Sequence, residues 1–120
     1  MFTHIEKLLL TQAGTVLSRE RRNEDCIHLY AVGEYWAAFD RSAYLLEDII
    51  FQDRPPMTIY LKDNPFPILM HNISAEEMTS LRKAGEVTME RRGYLSLRLH
   101  SINPSDYQKW RTQKTLSVEP

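Results

Sequence analysis

Residues Ile27 to Leu46 read I-H-L-Y-A-V-G-E-Y-W-A-A-F-D-R-S-A-Y-L-L, and the fold turns on the path of the chain beyond Gly33. The apolar run over residues 26–32 has the length of a buried strand, and the glycine breaks it. After it, Tyr35, Phe39, Ser42, Ala43, Leu46 and Ile50 recur near helical spacing, with Trp36, Asp40, Tyr44, Glu47 and Phe51 on a neighbouring mixed face. That periodicity predicts a helix over 34–51, closed by Arg54-Pro55-Pro56 because proline disfavours a helical residue before it. The expected path is strand, turn, helix, with Tyr35 and Trp36 at the junction.

Working outward, Ile5, Leu8, Leu9 and Val16 predict an amphipathic helix over 3–18, with Thr3 and Glu6 placed as a capping box. The mixed-charge stretch Arg19-Glu20-Arg21-Arg22-Asn23-Glu24-Asp25 reads as the end of that helix or as a solvated loop. Short strands are expected over 57–61 and 66–70, around a Lys62-Asp63-Asn64-Pro65 turn. Ser74 and Glu77 form a capping box for a helix to Ala84, stopped by Gly85. Residues 86–90 and 94–99 alternate around Arg92-Gly93 as a hairpin. Asn103-Pro104 opens a last helix, and 115–120 read as a frayed tail. The whole is one α/β (α+β) domain with a mixed, partly antiparallel sheet flanked by helices.

A chain of 120 residues supports one domain over 1–120 rather than two. Its net charge of -1 argues against a strongly basic binder of nucleic acid but leaves room for a local patch. Cys26 is the only cysteine, so an internal disulfide and a cysteine-based zinc site are ruled out. Leu8-Leu9-Leu10 is too short for a leader or a membrane span. Together these imply a cytoplasmic protein.

Three stretches in order resemble the first, mismatch-recognition domain of the MutS repair proteins, over about residues 26–99. Leu29-Tyr30-Ala31-Val32-Gly33-Glu34-Tyr35-Trp36 is similar to that domain's strand–turn–helix with its Gly-Asp-Phe-Tyr-Glu run. Phe66-Pro67-Ile68-Leu69-Met70-His71 looks like its proline-containing strand, and Leu81 to Glu90 like its helix–glycine–strand exit. The resemblance implies a MutS domain I-like fold and a non-catalytic accessory role in nucleic-acid metabolism. DNA or RNA, a reverse transcriptase or another nucleic-acid enzyme would be the partner. It places Tyr35 where the family's ring stacks on a base. The family's base-contacting glutamate is replaced by Ala37. The clamp, lever and ATPase domains have no counterpart, and no P-loop run occurs.

Candidate nucleic-acid contacts are Tyr35 and Trp36 as stacking rings, and Arg91, Arg92, Lys109, Arg111 and Lys114 as phosphate ligands. The same rings would serve equally to pack a helix on a sheet, and the same cations to solvate a mixed-charge surface. His4, His28, His71 and His100 lack helical metal spacing, and only His28 and His100 have positions that would let them meet. Ser42 lacks the glycines of a nucleophile elbow, Cys26 falls on a buried strand, and Asp40 and Glu47 share a helix face with nothing to perturb them. No catalytic residue, metal or cofactor is nominated. The alternative is a protein-interaction or homodimerisation module anchored by Trp36, Tyr107 and Trp110.

Overall fold

The chain does not enter a helix at Gly33. In the computed structural model, which describes residues 2–49, 54–61 and 66–116, β1 (Cys26–Val32) turns at Gly33-Glu34 into a second strand, β2 (Tyr35–Phe39). Gly33 has φ 62°, the left-handed region that a two-residue hairpin turn requires at its first position. The helix starts later than expected, as α2 (Asp40–Ile49). Ala37 and Ala38 explain the difference. Both are fully buried, on opposite sides of a central strand covered on both faces. Such a strand has no polar alternation and cannot be told from a buried helix by period alone.

The other elements are α1 (Phe2–Arg21), β3 (Met57–Ile59), β4 (Ile68–Ile73), α3 (Ala75–Ala84), β5 (Glu86–Arg91), β6 (Tyr94–Arg98) and α4 (Pro104–Leu116). They confirm a single α+β domain. The sheet has six strands in the order β3-β4-β2-β1-β6-β5, and each neighbouring pair is antiparallel. The capping box of α3 forms as expected: Ser74 Oγ accepts from the Glu77 amide at 3.1 Å, and Glu77 Oε1 accepts from the Ser74 amide at 3.0 Å. The expected Thr3–Glu6 cap, the Lys62-Asp63-Asn64-Pro65 turn and the end of the tail lie outside the side chains and residues described.

One face of the sheet packs on α1, where Ile5, Leu9 and Val16 meet Tyr30, Val32, Phe39, Ile68 and Met70. The opposite face packs on α2 and α3 through Ile27, Leu29, Leu45, Leu46, Leu81, Leu95 and Leu97. Helix α4 lies against α2, its Tyr107 and Trp110 rings 5.7 and 5.4 Å from that of Tyr44. Trp110 Nε1–H also donates to Glu47, whose other oxygen meets His71 Nε2 at 2.7 Å. Among the described residues no helix is long and apolar enough to cross a membrane.

Arg91 pairs with Tyr94 across a two-residue turn of Arg92 and Gly93, and Gly93 has φ 78°. A Cβ there meets nothing closer than Ala31 Cβ at 4.0 Å, so the cost of a side chain is conformational rather than steric crowding. Gly93→Ala is therefore expected to lose about 1–2 kcal/mol in urea unfolding, and Gly93→Asn clearly less, because asparagine tolerates the left-handed region. Equal losses would mean that the turn is not held in this conformation.

Candidate nucleic-acid interface

Helix α1 covers β4, β2 and β1 on its face of the sheet and stops short of β5, all six residues of which are exposed. Along this uncovered flank, side chains of α1 face the start of β6. Tyr94 is the centre of the arrangement. The Arg19 guanidinium lies 4.3 Å from its ring centroid, and Arg91 approaches from the neighbouring strand at 5.8 Å. Arg19 Nη1–H also donates to the Tyr30 hydroxyl at 3.3 Å, and Tyr94 Oη meets His28 Nδ1 at 2.7 Å. Both neighbours are uncharged at neutral pH: burial pushes Tyr30 up to about 12 from an already neutral range and, with Arg19 assisting, His28 down to about 4. The positive charge of the arginines is therefore not cancelled from beneath.

Two adjoining hollows run along this flank and share Arg19 as a common wall. One, of about 300 Å³, is lined by Leu8, Gln12, Arg91, Arg92 and Tyr94, with no acid among its lining residues. The other, of about 330 Å³, is lined by Arg22 and His28 together with the acids Glu24 and Asp25. Asp25 is engaged by Arg98 at 3.6 Å. Among the described residues none of Arg19, Arg22, Arg91 and Arg92 forms an ion pair. The groove thus carries four arginines, two of them against Tyr94, and two acids, of which Asp25 is engaged by Arg98.

The seven residues nominated from sequence divide sharply. Arg91 and Arg92 sit in the groove. Tyr35 lies at the same end of the sheet, because the Ala31 amide donates to Gly93 O and so sets the two hairpin turns side by side. The residue is 40% exposed, enough to touch a ligand. Trp36 is its neighbour on a strand, so it points to the opposite face, where it packs against the α2–α3 core. The two rings cannot form one stacking platform. Ala37 is fully buried, so the position of the family's glutamate faces the core and reaches no ligand. Lys109 and Lys114 lie on α4, across the sheet from the groove, with Lys109 exposed and Lys114 half-buried. Arg111 is not a free cation: it pairs with Asp40 at 2.9 Å and donates to the Pro67 carbonyl. Tyr107 is buried and Trp110 partly so, which removes both as exposed anchors.

His28 and His100 do not meet, since His28 bonds Tyr94 while His100 lies 3.4 Å from Asp48. Among the described residues no group of His, Cys, Asp and Glu is placed to hold a metal ion. Burial and the adjacent Asp25 push the Cys26 thiol up, away from the reactive thiolate. Asp40 is no ordinary helix-face acid: it sits at φ 45°, and burial raises its carboxyl against the bonds from the Leu69 amide and Arg111. Glu20, in the stretch read as a helix end or a solvated loop, lies in the last turn of α1 and is 2% exposed.

No protein-family model matches this chain, and neither does any curated protein or solved structure. The residues themselves must carry the functional reading.

Proposed function

We propose that this chain is a non-catalytic nucleic-acid accessory protein that grips a phosphate backbone in the groove beside α1. The observation that carries the reading is the set of Arg19, Arg22, Arg91 and Arg92, without ion pairs among the described residues and lining two adjoining hollows, with Arg19 and Arg91 against Tyr94, on a protein whose net charge is -1. A near-neutral chain concentrates positive potential in one place only when its other charges are balanced elsewhere, and that is the footprint of backbone binding. Of the three stretches that resemble the first domain of MutS proteins, the strand after Pro67 and the helix–glycine–strand over Leu81 to Glu90 keep the form the resemblance implies, and these two support the same class of partner. Tyr35, at the same sheet end, is placed to lie against a base or sugar, whereas the paired-ring mismatch reading is set aside with Trp36 and Ala37.

Phosphate contacts made by four arginines release counterions, so affinity falls with salt at a slope of about 0.7–0.9 per contact. Fluorescence anisotropy with labelled single-stranded and duplex DNA and RNA is expected to show affinity falling about fifty- to a hundred-and-fiftyfold between roughly 50 and 200 mM salt. An absence of binding to all of these at the lower salt eliminates the proposal.

A further inference from the structure

A third hollow, beside the last turn of α1, combines features that the groove lacks. It has a volume of about 260 Å³ and lies where the last turn of α1, the β2–α2 junction, the start of β4 and helix α4 converge. Its apolar side is formed by Leu17, Ile68 and the Tyr107 ring, and its polar side by Arg21, Arg41 and Arg111 with Glu20 and Asp40. Four separate elements thus bring an apolar wall and a cationic wall together around a small space, the usual composition of a small-molecule site.

The charges do not cancel. Asp40 is neutralised by Arg111 at 2.9 Å. Both Glu20 oxygens are satisfied by Ser42, through its amide at 2.9 Å and its hydroxyl at 2.6 Å. Burial pushes the Glu20 carboxyl up to about 8, which leaves it uncharged at neutral pH. Arg21 is exposed and makes no hydrogen bond or ion pair among the described residues. Arg41 gives one N–H to the Asn23 carbonyl at 2.9 Å and holds its guanidinium 5.3 Å from the Tyr107 ring centroid, which leaves the rest of its five donors for a ligand. The hollow therefore presents two uncompensated guanidinium groups beside apolar surface.

We infer that this hollow binds a small organic acid, with its carboxylate held by Arg21 and Arg41 and its apolar body against Leu17, Ile68 and Tyr107. Planar guanidinium forks match a carboxylate with paired hydrogen bonds, and the volume limits the ligand to about the size of one substituted ring. This site is independent of the groove and of the nucleic-acid reading.

Titration of the isotopically labelled protein with benzoate, and separately with inorganic phosphate, at constant ionic strength tests it. Benzoate is expected to shift the amides of Asp40, Arg41 and Arg111 saturably in the millimolar range. Arg21→Gln, an exposed change, is expected to weaken this about tenfold, and Arg41→Gln at least as much. Arg91→Gln with Arg92→Gln is expected to leave it unchanged, whatever those changes do to nucleic-acid binding. No saturable shift with benzoate, a response to phosphate alone, or an undiminished response in Arg21→Gln overturns the proposal.

Discussion

Reversal of charge at Arg91 and Arg92 together is expected to weaken duplex DNA binding about two-hundredfold at roughly 50 mM salt, and single-strand binding about sixtyfold. The size comes from counterion release. At a slope of about 0.9 per phosphate contact on duplex, dilution from roughly 1 M to 50 mM salt makes one contact worth about fifteenfold, and two contacts about the square of that. The lower slope of about 0.7 for single strands gives the smaller figure. The repulsion introduced by two glutamates adds to both. Folding should survive, since neither arginine forms an ion pair among the described residues and Arg91 has only its contacts with the Met89 sulfur and the Tyr94 ring to lose. Thermal melting by circular dichroism checks that point. The control is reversal at Lys109 and Lys114, which lie across the sheet and contribute only a screened, long-range effect. If the Arg91/Arg92 variant binds within threefold of wild type, or the α4 variant loses as much, the groove is not the interface.

Most of the architecture is written locally. Ser74 with Glu77, Gly85, Arg92-Gly93 and Asn103-Pro104 each act within a few residues, and the cap, helix stop, hairpin and helix start appear where these signals put them. The one large departure, a strand where a helix from residue 34 is expected, falls where local signals give out. Tyr35 to Phe39 is a central strand sandwiched between helices, and its two alanines fit both a helix and a close-packed sheet. The two apolar runs of similar length on either side of Gly33-Glu34 are the hairpin signal that the sequence does contain. Trp36 departs from expectation for the same reason: neighbours on a helix can share a surface, whereas neighbours on a strand cannot. Arg91 and Arg92 are legible because a turn places its residues at the rim of a sheet. Arg19 is legible only as one cation in a charged run, because its value depends on Tyr94, which only the fold brings to it. Arg111 reads as any exposed helix cation until Asp40 is found facing it.

Glu20 shows the same limit. Ile5, Leu9, Val16 and Glu20 recur at helical spacing, so Glu20 continues the buried stripe of α1 even though it is surrounded by charges. Its carboxyl reaches the first turn of α2 and takes the Ser42 amide and hydroxyl. The Ser42 hydroxyl in turn accepts the His28 amide at 2.9 Å, tying the start of β1 to the same point. This carboxyl is the joint between two helices and the sheet.

That joint sets the pH dependence of stability. Burial raises Glu20 from 4.5 when unfolded to about 8 when folded, so its contribution is complete below pH 4.5 and is lost as pH climbs to about 8. His28 works in the other direction, since burial lowers it from 6.5 to about 4, and its contribution is complete above pH 6.5 and lost as pH falls to about 4. Between pH 4.5 and 6.5 the two slopes oppose each other and stability is nearly level. Between 6.5 and 8 only Glu20 of this pair titrates, and urea unfolding is expected to show a fall on the order of 1.4 kcal/mol per pH unit. Glu20→Gln keeps the shape and both bonds to Ser42 without an ionisable proton. That variant should hold its stability above pH 6.5, and its advantage over wild type should grow by roughly 2 kcal/mol between pH 6.5 and 8, while it still loses stability in acid through His28. Glu20→Ala instead strands the buried Ser42 amide and opens a cavity, and is expected to be less stable than wild type by about 2–4 kcal/mol near neutral pH. A wild-type profile that stays level from pH 6.5 to 8, or a glutamine variant that tracks wild type downward, would show that Glu20 ionises at its ordinary value and does not join the helices as a neutral group.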